Sequence, residues 1–479
     1  AMRRTHSLLR VVQAALFFSS TAPTRAMTSI AAAKLASSSS NTYQVAILGG
    51  GVAGCAAARR LAELAPSPSS SSSSVAPRIA LYEMGRGPGG RASTRKTRSA
   101  PHIHINHGAP YADVRSSTGR SILSSLSSAC LVAPYVGVRG SLDLSTGAFS
   151  RDIDVDESSC NETEGASASA SVDYVTGANG EMSQIASSLI ANTPSIEPKY
   201  KTMVRHLTRS TSNGEWELRD KSQQIIGVAD WLIVAGSSVA HPRWSNIFGG
   251  DPPLVQAERD HPDPKLREAL DAIAMQEVSP RMAVFFSCSG SVARQWLSLG
   301  FNVATVDDDQ NCSILSKIMI HGGRKGDNGD DEDEEWCSIV LHSTEEFAIR
   351  NSGVYGASST AARVGGAATD ASMENSLVEE MMAALGEVPG IPSNSSNNNS
   401  GDCSLSNIYN YGPALHRWGN AFPKGEPLRE DLAFVPSSRI AFCGDYVASP
   451  ERARFGSFES ALLSGTFAGE NISKYYNES

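Results

Sequence analysis

The chain predicts an α/β fold in which a helix-covered parallel sheet is joined to a second, mixed or antiparallel β-sheet. Three observations predict it. The short apolar run Val45-Ala46-Ile47-Leu48 reads as a strand buried on both faces. It leads into Gly49-Gly50-Gly51-Val52-Ala53-Gly54 and then into Ala-rich sequence with no helix breaker before Ala65. Far downstream, Arg281–Ser287, Lys317–His321 and Trp336–His342 form further strand-like runs after a charged, helical stretch, Pro242–Ser279. The first domain is therefore Rossmann-like, and a second sheet follows it.

In the first domain, Gly49, Gly51 and Gly54 fit G-x-G-x-x-G between a strand and a helix, the order a dinucleotide site requires. Gly49 allows the tight turn. Gly51 lets the backbone approach a pyrophosphate, and Gly54 lets the helix pack close to the strand. Val52 and Ala53 then open the helix, whose N-terminus offers free N–H groups and a positive dipole end to phosphate. A ribose-binding acid is expected about 20 residues on, at the end of the second strand. Ile79–Tyr82 is that strand and Glu83 ends it, 29 residues after Gly54. The Ser/Pro tract Pro66–Pro77 accounts for the excess as a surface insertion, because lengthening a loop adds little closure entropy.

Directly after Glu83 comes Met-Gly-Arg-Gly-Pro-Gly-Gly-Arg-Ala-Ser-Thr. Glu83, Gly85, Gly87, Gly89, Gly90 and Arg91 resemble the second FAD motif of the amine-oxidase-like flavoproteins. Arg91–Thr94 with His107-Gly108-Ala109-Pro110-Tyr111, the His416-Arg417-Trp418 segment, and Gly444-Asp445 with Gly456–Gly465 are similar to the renalase branch of that superfamily. The resemblance spans Tyr43 to Asn471, with insertions, and is poorest over Gln276–Gly366.

The resemblance implies FAD, held at Gly49, Gly51, Val52, Ala53, Gly54, Glu83, Gly90, Arg91, Gly108, Val204, Gly444, Asp445 and Glu459. Arg91 can lay a planar donor fork on a phosphate. Val204 would meet the adenine through its backbone. Asp445 would bond the ribityl or pyrophosphate end, and Glu459 would lie near the ring. The last helix would turn its positive end toward the reduced flavin. No segment like Ser-Gly-Gly-Cys, which carries flavin covalently in monoamine oxidases, is present, so FAD should be non-covalent. The implied division interleaves two domains. Residues 41–115, 172–240 and 412–479 form the FAD-binding domain, and 116–171 and 241–411 form the substrate domain.

The implied reaction takes a hydride from a small reduced substrate, such as a dihydronicotinamide, with molecular oxygen as acceptor. Hydride transfer to flavin needs positioning more than acid–base groups, and the sequence names no catalytic residue. His107, His416 and Trp418 are candidates to line the pocket. An amine oxidase is the alternative; its aromatic cage could draw only on Trp418 and Tyr446. A non-catalytic binder on the same fold, in the manner of GDP dissociation inhibitors, is a third reading.

Other segments are read from pattern. His102 and His104 alternate with Ile103 and Ile105 on a strand, which favours packing over metal binding. Tyr174–Leu189 reads as a turn and helix, Tyr200–Leu207 as a strand, and Trp216–Ala235 as a three-strand meander. Ser343-Thr344 before Glu345-Glu346 reads as a helix cap. Ser150–Ser171 and Pro392–Asp402 read as loose insertions, and Asp327–Glu335 as a solvated acidic tip.

Composition sets the outer bounds. A net charge of −9 argues against nucleic acid as the main partner. No run reaches the ~18 apolar residues of a membrane span. The eight cysteines are scattered, with no C-x-x-C pair to suggest zinc. Residues 1–40 carry Arg3, Arg4, Arg10, Arg25 and Lys34, many Ser and Ala, and no acid. That is the composition of a transit peptide for a plastid or mitochondrion, with a secretory route as the alternative.

Overall fold

A computed structural model describes residues 41–65, 77–97, 100–152, 172–307, 314–324, 335–357, 359, 361–392 and 409–478. The expected targeting segment and most of the Ser/Pro tract, of the Ser150–Ser171 and Pro392–Asp402 insertions and of the acidic tip lie outside the described residues. The chain divides into Ala1–Thr42 and a compact unit, Tyr43–Ser479.

The first strand, Thr42–Leu48, is buried on both faces. Val45 and Ile47 enter one core; Tyr43, Ala46 and Leu48 enter another. It pairs in parallel with Ile79–Glu83, which pairs in parallel with Ile196–Tyr200. On its other side lies Ile225–Val234, which pairs in parallel with Ile440–Phe442 and antiparallel with Trp216–Arg219. The helix Val52–Glu63 covers one face through its alanines. The last helix, Phe458–Glu478, packs on it so closely that a Cβ at Gly465 would come 2.2 Å from the Ala53 carbonyl oxygen.

The second sheet has seven strands, in the order Tyr411–Lys424, Glu277–Ser289, Glu335–Ser343, Leu315–Arg324, Val303–Asp307, Arg139–Asp143 and Phe149–Arg151. Strand alternation gives it two faces. Ile318, Ile320, Ile339 and Leu341 pack with the helices Gly290–Leu297 and Ala371–Gly386. Ala283, Phe285, Val303, Met319 and Val340 pack on the opposite face, against Ile105, Tyr111 and Trp418.

Several sequence expectations need correction. Tyr200–Leu207 is not one strand. The pairing ends at Tyr200, Lys201 turns with φ +56°, and a new strand starts at His206. The cause is local: Lys201 N–H donates to Gly85 O and Thr202 N–H to Glu83 O, so the chain wraps over the end of the Glu83 strand. Val204 therefore sits buried in a loop. Trp216–Ala235 holds two strands of the meander, because its last two segments merge into Ile225–Val234, and His206–Arg209 is the third. Tyr174 belongs to a strand, Asp173–Gly177, and the helix starts only at Ser183. The cap expected at Ser343-Thr344 is Thr344, whose hydroxyl accepts from Phe347 N–H; the Ser343 hydroxyl instead accepts from Met282 N–H.

Candidate functional site

The C-terminal ends of the strands Thr42–Leu48, Ile79–Glu83, Ile225–Val234 and Ile440–Phe442 meet at one edge of the first sheet. Gly49 N–H donates to Tyr82 O, Ala235 N–H to Leu48 O, and Cys443 N–H to Val234 O. Gly49 turns there with φ +115°, a conformation that L side chains rarely adopt. A Cβ at Gly54 would fall 2.0 Å from Gly49 O, which explains the third glycine of the motif. Gly51, Val52 and Ala53 start the helix with no side-chain cap and no acid in the first turn. The first amide hydrogen-bonded within the helix is that of Cys55, to Gly51 O. The amides of Val52, Ala53 and Gly54 thus remain for a ligand.

Glu83 links the two glycine motifs. Its carboxylate accepts from Gly50 N–H at 2.8 Å and from Gly85 N–H at 2.5 Å. Burial lifts its pKa above the usual carboxylate range, although these two N–H groups pull it down. Each carboxylate oxygen keeps a lone pair for a further donor. Sequence reasoning missed Gly50: a Cβ there would lie 2.9 Å from Glu83 Cβ. The second motif docks on the first, with Gly89 N–H donating to Gly50 O, and Gly90 turns at φ +56°. Gly108 lies against the Arg91 backbone, where its Cβ would be 2.1 Å from Arg91 O.

The structure gives Arg91 a partner other than phosphate. Its fork holds Asp445 through Nη1 at 2.6 Å and Nη2 at 2.5 Å, and Nη1 also reaches Ala421 O at 2.7 Å. Burial would lower the Arg91 pKa, but Asp445 more than offsets this and raises it. The pair therefore ties the second glycine motif to the closing motif and to the second sheet. Gly444, at φ +136°, is fixed by Ser464, whose hydroxyl accepts from its N–H and donates to its carbonyl, both at 2.9 Å.

Glu459 lies in the first turn of the last helix. Its Oε1 accepts from Arg115 N–H, Ser116 N–H and the Ser116 hydroxyl, where the helix Ser117–Ser128 begins. Val204 N–H makes no backbone hydrogen bond among the described residues.

A second wall forms where His107, just after the strand His104–Asn106, packs on the second sheet. The His107 ring stacks on Trp418 at 5.1 Å and meets His416 edge-on at 5.0 Å. The His107 carbonyl accepts from Trp418 Nε1 at 3.2 Å and lies 3.1 Å from His342 Nε2. Arg95 lies over Phe285. Burial keeps these imidazoles neutral: His107 falls well below the ordinary histidine value, His416 to about 3 and His342 to about 4. Among the described residues, buried His107 Nδ1, His416 Nδ1 and Asn420 Oδ1 have no hydrogen-bond partner. Tyr446 does not join the wall. It is buried in the first domain and its hydroxyl donates to Val234 O. His104, near His102 in sequence, instead meets His321, with 2.5 Å between their Nε2 atoms.

An elongated dinucleotide fits this arrangement. A Cβ at Gly51 would meet nothing within 4 Å, so open space lies over the uncapped helix start. Glu83 borders that space through Gly50, and among the described residues His107 Nδ1 and His416 Nδ1 lack hydrogen-bond partners.

The family model for an NAD(P)-binding Rossmann-like domain matches residues 47–121. A search of curated protein sequences found no match. Among solved structures the chain is similar to cyclohexylamine oxidase from Brevibacterium oxydans IH-35A, with 13% identity and a TM-score of 0.52 over 91% of this chain and 99% of that one. It is also similar to putrescine oxidase, solved with putrescine bound, with 13% identity and a TM-score of 0.47 over 90% and 99%. The first of these likenesses carries the architecture: a Rossmann-like domain with a second sheet, in the amine-oxidase-like arrangement.

Proposed function

We propose that the chain is an FAD-dependent oxidoreductase that takes a hydride from a small reduced substrate, a dihydronicotinamide in the manner of the renalase branch, with oxygen as electron acceptor. One observation carries the cofactor reading. An uncapped helix start with open space over Gly51 sits beside Glu83 and a second glycine motif docked against it. FAD supplies the hydride acceptor; the chain binds, orients and dries the site.

The amides of Val52–Gly54 bind pyrophosphate, and Glu83 accepts from a ribose hydroxyl. Trp418 and His107 offer stacked ring faces for orienting a flat donor ring. His107, His342 and His416 are neutral at pH 7, so no strong base faces the substrate, and hydride transfer requires none. Burial of Tyr446 leaves Trp418 alone of the two candidates for an amine cage, which weighs against the amine-oxidase reading.

No segment like Ser-Gly-Gly-Cys is present, and Cys55 and Cys443 are buried. FAD is expected to be non-covalent. Acid precipitation of the purified protein should leave yellow FAD in the supernatant. Flavin that stays with the precipitated peptide would refute non-covalent attachment, and a colourless protein would refute the cofactor reading.

A further inference from the structure

Side chains of the second sheet reach across to the main chain of one short segment, His104–His107. The strand Glu335–Ser343 supplies two of them. Alternation puts Ser338, Val340 and His342 on one face of that strand, where Val340 packs with Phe285 and Met319. Ser338 Oγ donates to His104 O at 3.0 Å, and His342 Nε2 meets His107 O at 3.1 Å. From the strand Tyr411–Lys424, Trp418 Nε1 donates to the same His107 carbonyl at 3.2 Å.

Proton bookkeeping fixes the state of His342. A carbonyl oxygen only accepts, and it has two lone pairs. Trp418 takes one, and the His342 ring takes the other only if its Nε2 carries the proton. Burial, and then the charge of Lys317, bring the His342 pKa down to about 4, while the bond to His107 opposes them. The ring is therefore neutral at pH 7, and its one N–H is spent on this carbonyl. The carbonyl sits at a junction. On one side the His107 ring stacks on Trp418 at 5.1 Å. On the other, Ala109 N–H donates to Arg91 O at 2.9 Å, which ties the segment to the second glycine motif.

We propose that His342 is a positioning residue: its Nε2–H and the Trp418 indole together hold the His107 carbonyl, and so set the attitude at which the His107–Trp418 stack presents a flat donor ring. The proposal rests on the oxidoreductase reading of the site and adds a residue that acts through His107. Loss of the His342 donor leaves the carbonyl on Trp418 alone, and the stack then shifts relative to the flavin.

Two variants separate the donor from the ring. His342→Gln keeps an N–H donor and gives up the ring; His342→Phe keeps a ring of similar bulk and gives up the donor. The measurement is anaerobic reduction of the bound flavin by whichever reductant, dihydronicotinamide or amine, bleaches the unaltered protein. In His342→Phe the limiting rate should fall by roughly 10- to 100-fold, as for a misplacement of about 1 Å, with substrate Kd changed by less than about threefold. His342→Gln should recover much of the rate. A slow His342→Gln beside a normal His342→Phe would mean that the ring only fills space, and equal rates in the two variants would equally overturn the proposal.

A second measurement needs neither variant activity nor flavin. Nitrogen NMR of the protein labelled with 15N-histidine reads the tautomer, with the His342 signal assigned by its loss in His342→Gln. The proposal requires a neutral ring protonated at Nε2 at pH 7. Protonation at Nδ1 would overturn it. A colourless protein, or a flavin that no dihydronicotinamide and no amine bleaches, would fail the oxidoreductase reading, and the tautomer would still decide whether His342 holds the carbonyl.

Discussion

Gly51→Val is expected to fold normally and to lose its flavin. Gly51 has φ −70°, which valine adopts without strain, and no atom lies within 4 Å of its added Cβ. The apo fold therefore tolerates the side chain. A bound pyrophosphate does not, because the methyl groups fill the space through which it approaches the amides of Val52, Ala53 and Gly54. Overpacking of about 1–3 kcal/mol, directed at the ligand alone, weakens FAD by roughly 5- to 150-fold. Gly54→Ala behaves in the opposite way. Its Cβ would strike Gly49 O at 2.0 Å, so the fold itself suffers. Flavin-to-protein absorbance and the melting temperature separate the two. Full flavin occupancy in Gly51→Val would remove the basis for placing the cofactor here.

Asp445→Ala is expected to destabilise the protein by about 2–4 kcal/mol, because it strands the Arg91 guanidinium without its counter-charge. The lower part of that range applies, since the Arg91 side chain is 36% exposed and water recovers some of the loss. Arg91 also holds Ala421 O, so the change loosens the junction between the glycine motifs and the strand that carries His416 and Trp418. The double variant Arg91→Met/Asp445→Leu removes both charges and should recover most of the stability. Denaturant unfolding of the unaltered protein, Arg91→Met, Asp445→Leu and the double variant at matched flavin content closes the cycle. Additive losses would show that the pair is not coupled and that the junction rests on packing alone.

The fold was legible where local sequence and tertiary structure agree. Val45–Leu48, the three motif glycines and Ile79–Glu83 could be read because one strand–turn–helix unit fixes them all within a short span. Glu83 was found only by setting aside the Ser/Pro tract. Partners distant in the chain were not legible. Arg91 and Asp445 each looked like a group for the cofactor, but nothing in sequence indicates that residues so far apart will face each other. The partners of Glu459 were hidden for the same reason, since Arg115 and Ser116 belong to another element. The Tyr200–Leu207 strand failed because carbonyls of a neighbouring strand end draw Lys201 and Thr202 aside. Tyr446 looked like a cage residue by type, but a buried carbonyl, Val234 O, claims its hydroxyl.

Anaerobic stopped-flow reduction of the bound flavin tests the central claim most directly. The oxidised protein is mixed in turn with normal dihydronicotinamide, its ring isomers and a panel of primary and secondary amines, and the flavin absorbance is followed. Rapid bleaching by at least one dihydronicotinamide, with recovery of colour on admitting oxygen, is the predicted result. Rapid bleaching by an amine, with none by any dihydronicotinamide, would contradict the account and make the chain an amine oxidase.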